Sequence, residues 1–113
     1  MKKALETLRS HLQTLMALAQ SANPDGGALQ AQFLLTQQHF QHQMLPLGDD
    51  LPSAQPVLTE MNRTLRLLAM DVAFLQAARQ STTAQQRQRQ MVEKLGQLLS
   101  FCEAMAQAIA NEV

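Results

Sequence analysis

Tryptophan and tyrosine are absent from this chain, phenylalanine occurs only four times, and β-branched residues are scarce. Residues that suit a pleated sheet are therefore missing, which argues against a β fold. A single cysteine, Cys102, excludes an internal disulfide and suits a reducing compartment. There is no net charge, since nine Lys and Arg stand against nine Asp and Glu. No global field exists to draw in nucleic acid or an anionic membrane, and no nucleic-acid partner is expected. No apolar run approaches the ~18 residues of a membrane span. The opening MKKALETLRSHLQ scatters charge through its length, unlike a signal peptide. A soluble, cytoplasmic protein is expected. No glycine-rich phosphate loop, paired carboxylates or triad pattern occurs, so neither an enzyme nor a cofactor site is expected.

What the sequence does have is Ala, Leu, Gln and Met, all good helix formers, in a chain that is 46% hydrophobic over 113 residues. That length fits one domain, 1–113, with a core of its own. The apolar spacing predicts four helical segments in an all-α, four-helix antiparallel bundle. The first covers 2–21, with Leu5, Leu8, Leu12, Leu15 and Ala19 on one stripe, and the turn residues Asn23-Pro24-Asp25-Gly26-Gly27 end it. The second covers 28–44, with Leu29, Phe33, Phe40 and Met44 as its stripe, and Pro46 to Pro52 form the longest linker.

The third segment, 53–80, carries a heptad seam of Leu58, Met61, Leu65, Leu68, Val72 and Leu75. Asp50 or Ser53 is its expected cap, with Pro52 or Pro56 in its first turn. A second stripe of Leu67, Met70, Phe74 and Ala78 lies beside the seam. The seam is expected to face the fourth segment and the second stripe to face the first and second, the rival being a dimer surface. The fourth segment, 83–111, opens with a capping box, Thr82 with Gln85 or Thr83 with Gln86. Met91, Leu95, Leu98, Cys102, Met105 and Ile109 make its seam. The short connection between third and fourth segments predicts a long antiparallel hairpin. At 1.5 Å per residue the third segment is ~42 Å long against ~26 Å for the second, so the Arg79 to Gln90 tip should protrude.

Asp71 is the one acid in the middle of the greasiest helix. A lone buried carboxylate costs several kcal/mol, so it is expected to pair with an arginine of another helix or to meet a partner at the surface. Arg79, Arg87 and Arg89 surround the tip and suit either an acidic partner or plain solvation. His39 and His42, at i and i+3, have a metal-compatible spacing but no further ligands nearby, and no metal site is expected. A phosphotransfer histidine is a further alternative, although no lysine follows closely. Cys102 reads as a buried structural thiol.

The segment MNRTLRLLAMDVAFLQAARQ, followed by TAQQR and LLSFCEA, resembles the cyanobacterial PatD-type heterocyst-frequency control family over the C-terminal half. The resemblance implies a regulator associated with the tubulin-like division protein FtsZ, whose assembly it would modulate, and through it cell division or heterocyst frequency. Among the matching positions, Arg66, Asp71, Gln76, Arg79 and Gln80 are polar and hardest to explain by packing. With Arg87 and Arg89 from the tip they are the candidate partner-binding residues. The expected function is a non-enzymatic adaptor for a protein partner, FtsZ by resemblance. The alternatives are a structural homodimer or complex subunit, and a His phosphotransfer-like module.

Overall fold

Leucines and an alanine at alternating steps of three and four wind Lys2–Ala19 into α1, with Leu5, Leu8, Leu12, Leu15 and Ala19 all buried. The computed structural model describes residues 1–77 and 81–111, and these are all-α. Asp25 caps α2 (Gly26–His39) by accepting hydrogen bonds from the Gly27 and Ala28 amides at 2.9 and 3.3 Å. The cap starts α2 two residues before the expected Ala28, because the Asp25 carboxylate satisfies amides of the first turn.

Past His39 the helix widens into a π turn, Phe40–Met44, where the Leu45 amide reaches back to the Phe40 carbonyl at 2.9 Å. Pro46 follows. It has no amide to donate to the His42 carbonyl, and the chain loosens ahead of it. The expected linker 46–52 is largely helical turns: α3 (Leu47–Asp50) and a 3-10 turn, Pro52–Ala54. Gly48 is buried, and a Cβ there would stand 3.2 Å from Gln55 Cγ and 3.3 Å from Leu58 Cδ1. Gln55 Nε2 also donates to the Gly48 carbonyl at 2.9 Å, sealing this corner. Neither Asp50 nor Ser53 caps the next helix, which the 3-10 turn leads into directly.

α4 runs over Gln55–Ala77 and α5 over Ser81–Asn111. Thr82 and Thr83 are inside α5, so the expected capping boxes do not form there. α4 packs on α5, α5 on α1, α1 on α2 and α2 on α4. Contacts at two heights set the sense of two of these pairs. Arg9 meets Glu103 at 2.9 Å while Gln88 meets the Ala19 carbonyl, so α1 and α5 run in opposite directions. His11 meets Gln32 while His39 meets the Ala4 carbonyl, so α1 and α2 do too. The molecule measures 50 × 19 × 18 Å. At 1.5 Å per residue the 31 residues of α5 extend ~47 Å, nearly its whole length.

The core joins Leu8, Leu12 and Leu15 of α1, Leu29, Phe33, Phe40 and Met44, the α4 seam from Leu58 to Val72, and Met91, Leu95, Leu98, Cys102 and Met105 of α5. The second α4 stripe does not face α1 and α2. Leu67, Met70 and Phe74 are 44, 54 and 46% exposed, and Ala78 lies outside the described residues. α4 contributes its seam to the core it shares with α5 and α2, and the second stripe stays at the surface.

Candidate functional site

Asp71 follows Met70 and precedes Val72 on α4, so it sits at the edge where the buried seam meets the exposed stripe. Its carboxylate is buried and engaged by two cations of α5. Lys94 Nζ stands 2.6 Å from Oδ2, and an Arg87 guanidinium nitrogen 3.5 Å from Oδ1. The mate does come from another helix, and it includes the expected type in Arg87. The shorter contact is to Lys94, which sequence reasoning missed. A signal for it existed: Asp71 directly precedes Val72 of one seam, and Lys94 directly precedes Leu95 of the other. Two facing seams bring such flanking residues together.

Arg87 also lies over the Phe74 ring, 4.2 Å from its centroid, and donates to Gln90 Oε1 at 3.2 Å. Cation–π contact, ion pair and amide together fix the guanidinium plane against α4. Arg63, Leu67, Met70 and Phe74 follow one another at steps of four, three and four, so they share one face of α4. Arg66, one turn before Met70, flanks that face and is exposed. Thr59, Asn62, Arg63, Arg66, Leu67 and Met70 line a shallow depression of about 390 Å³. Arg63 has a loose contact with Glu60, 3.7 Å between two exposed side chains, which contributes little. Around the stripe, the cations Arg63, Arg66, Arg87 and Lys94 outnumber the acids Glu60 and Asp71.

The other candidate residues are elsewhere. Gln76 donates to the Gly26 carbonyl at 3.0 Å and joins α4 to the start of α2. Arg89 is exposed beside Gln20, Val92 and Glu93, on the α1 side of α5. Arg79 and Gln80 lie outside the described residues. The 81–90 region is also less free than expected. Gln88 donates to the Ala19 and Ser21 carbonyls at 2.7 and 3.1 Å, and Arg87 turns inward to Asp71. α5 is held against α1 and α4 through these residues.

The histidines diverge. His39 Nε2 is 2.7 Å from the Ala4 carbonyl, to which it donates, and His42 is exposed. His11 Nδ1 accepts from Gln32 Nε2 at 2.9 Å, and its ring lies 5.7 Å from that of His39. Burial first, and then His39, lower the His11 pKa. Cys102 is buried in the seam, and burial pushes its thiol up to about 11. Among the described residues no group of three or more His, Cys, Asp or Glu could hold a metal, and no helix is long and apolar enough to cross a membrane.

The arrangement thus offers an apolar stripe edged with guanidinium groups and anchored by a neutralised buried acid. One comparison bears on what carries it. The family model of the CRR41 C-terminal domain matches residues 4–103, from the first turn of α1 far into α5. The chain belongs to the CRR41 C-terminal domain family. This overturns the PatD-type resemblance, which touched only the C-terminal half, whereas the CRR41 match spans α1 to α5. The stretch behind that resemblance, residues 61–80 with TAQQR and LLSFCEA, is rich in Leu, Met, Ala and Gln, helix formers that unrelated helical proteins share. The expectations of FtsZ, cell division and heterocyst control go with it. No curated protein and no solved structure matches the chain.

Proposed function

We propose that this CRR41-family chain is a non-enzymatic helical adaptor that binds a protein partner through the α4 face bearing Leu67, Met70 and Phe74. The exposure of those three large apolar side chains on one face carries the proposal. Scattered surface apolar residues need no explanation, but a continuous apolar face does. The scaffold we assign it is a four-helix antiparallel bundle in which α4 and α5 form a long hairpin. In support, Asp71 of α4 meets Arg87 and Lys94 of α5, and the α4 and α5 seams share one core. The buried lone thiol suits a reducing, cytoplasmic setting. Arg66 and Arg87 are the polar candidates that border the face, with Asp71 holding Arg87 in place from beneath.

A photo-crosslinking amino acid placed at Met70 in the protein expressed in its own cells tests this. The expected result is a heavier adduct that is absent when the same group replaces Gln38, exposed on α2. No adduct at position 70, or equal adducts at both positions, overturns the proposal.

A further inference from the structure

The α4 stripe has a charge signature that selects among occupants. Arg63 continues the stripe one turn before Leu67, Arg66 flanks Met70, and Arg87 of α5 lies over Phe74. The apolar face is therefore bordered by guanidinium groups at its start, along one flank and at its far end. Arg87 is already paired with Asp71 and Gln90. Arg66 has no ion-pair partner among the described residues, and Arg63 has only the loose Glu60 contact. These two guanidinium groups beside the depression at Leu67 and Met70 are available to carboxylates.

We infer that this face takes an amphipathic helix of another protein whose apolar ridge is flanked by Asp or Glu. The inference rests on the adaptor reading and adds the chemistry of the partner. A helix laid along α4 places its apolar residues, one turn apart, against Leu67, Met70 and Phe74. One of them enters the depression lined by Leu67, Met70 and the Arg63 and Arg66 side chains. Carboxylates on its flank then reach Arg63 and Arg66 in the planar, two-pronged geometry that guanidinium favours. A second copy of this chain fits less well. A two-fold interface sets the same patch against itself, so a face bordered by Arg63, Arg66 and Arg87 would meet another bordered the same way, with Glu60 as the exposed acid beside it. Bare membrane is disfavoured too, since one helix face about two turns long buries too little in lipid.

The test uses the full chain and labelled helical peptides of about 18 residues, long enough to cover the stripe. One peptide carries a leucine ridge flanked by Glu, a second the same ridge flanked by Lys, and a third the Glu flanks with the ridge replaced by Ser. Fluorescence anisotropy at about 50 and about 300 mM salt reads binding and its screening. Saturable binding of the first peptide is expected, with a loss of about tenfold or more for each of the others and a weakening at high salt. Arg63→Glu with Arg66→Glu should also lower affinity about tenfold, and should reverse the preference toward the Lys-flanked peptide. Both residues are exposed, so circular dichroism should be unchanged. Equal binding of Glu- and Lys-flanked peptides overturns the inference. So does a dimer in sedimentation that Phe74→Glu dissolves, because it assigns the face to a second copy. If the Met70 crosslink forms while the peptides show no charge preference, the partner chemistry fails and the adaptor survives. Absence of both sinks the two together.

Discussion

Replacing Asp71 by Asn removes one charge and almost no volume, and its cost follows from the surroundings. Lys94 and Arg87 lose their shared counter-ion. Breaking a fully buried pair by deleting one partner costs about 3–5 kcal/mol. The Asp71 side chain is 3% exposed, but Lys94 and Arg87 are 21 and 32% exposed. Both cations can swing partly into water, which brings the expected loss down to about 2 kcal/mol. For a domain whose total stability is about 5–15 kcal/mol this is a large fraction. Urea unfolding followed by circular dichroism should move its midpoint down by about 1 M, and thermal unfolding should fall by about 8 °C. A double-mutant cycle sharpens the result. Lys94→Met alone leaves Asp71 with the longer Arg87 contact and should cost a comparable amount. Asp71→Asn with Lys94→Met should cost less than the sum of the two single changes, because the closest cation is no longer stranded. A loss below about 0.5 kcal/mol for Asp71→Asn would refute the ion-pair reasoning, as would strictly additive losses in the cycle.

Three further outcomes follow from other sites. Cys102 should resist alkylation at pH 8 in the native protein, where a thiol near 11 is ionised about one part in a thousand; labelling faster than unfolding would contradict its burial. Because the folded-state pKa of His11 lies below its ordinary 6.5, the unfolded chain binds this proton first as pH falls. Stability tied to His11 is present in full above about 6.5 and is lost as pH falls through the folded value, so His11→Gln should flatten the decline in melting temperature across that window. Asp25→Ala removes the acceptor of the Gly27 and Ala28 amides and should cost about 1 kcal/mol in chemical unfolding.

The all-α character and the α1 and α4 seams were legible because a period near 3.6 survives in Leu5 to Ala19 and Leu58 to Val72, and burial follows it. The corner at 46–54 was not. Pro46 and Gly48 read as breakers, yet a helical turn, Leu47–Asp50, follows Pro46 at once, while Pro52 opens a turn as expected of it. The side of α4 that stays open was also hidden. Two stripes of equal greasiness carry no mark of which meets a neighbour, and only the ring of helix contacts decides it. Asp71 announced that it needed a cation, but Arg87 and Lys94 are close to it only because of how α4 and α5 face. The PatD-type likeness misled because it rests on a stretch rich in Leu, Met, Ala and Gln, helix-forming residues that unrelated helical proteins share. What identified the family extends over a hundred residues and both halves of the chain.

The amide of Gln88 bears on a different question, that of what stops the first helix. No glycine in a left-handed conformation closes α1, and Gln20 keeps a helical backbone there. Two carbonyls at that end, those of Ala19 and Ser21, instead receive a side chain from α5. The stop signal for α1 is thus written 67 residues or more further along the chain, and fraying of the last turn of α1 must loosen the first turns of α5.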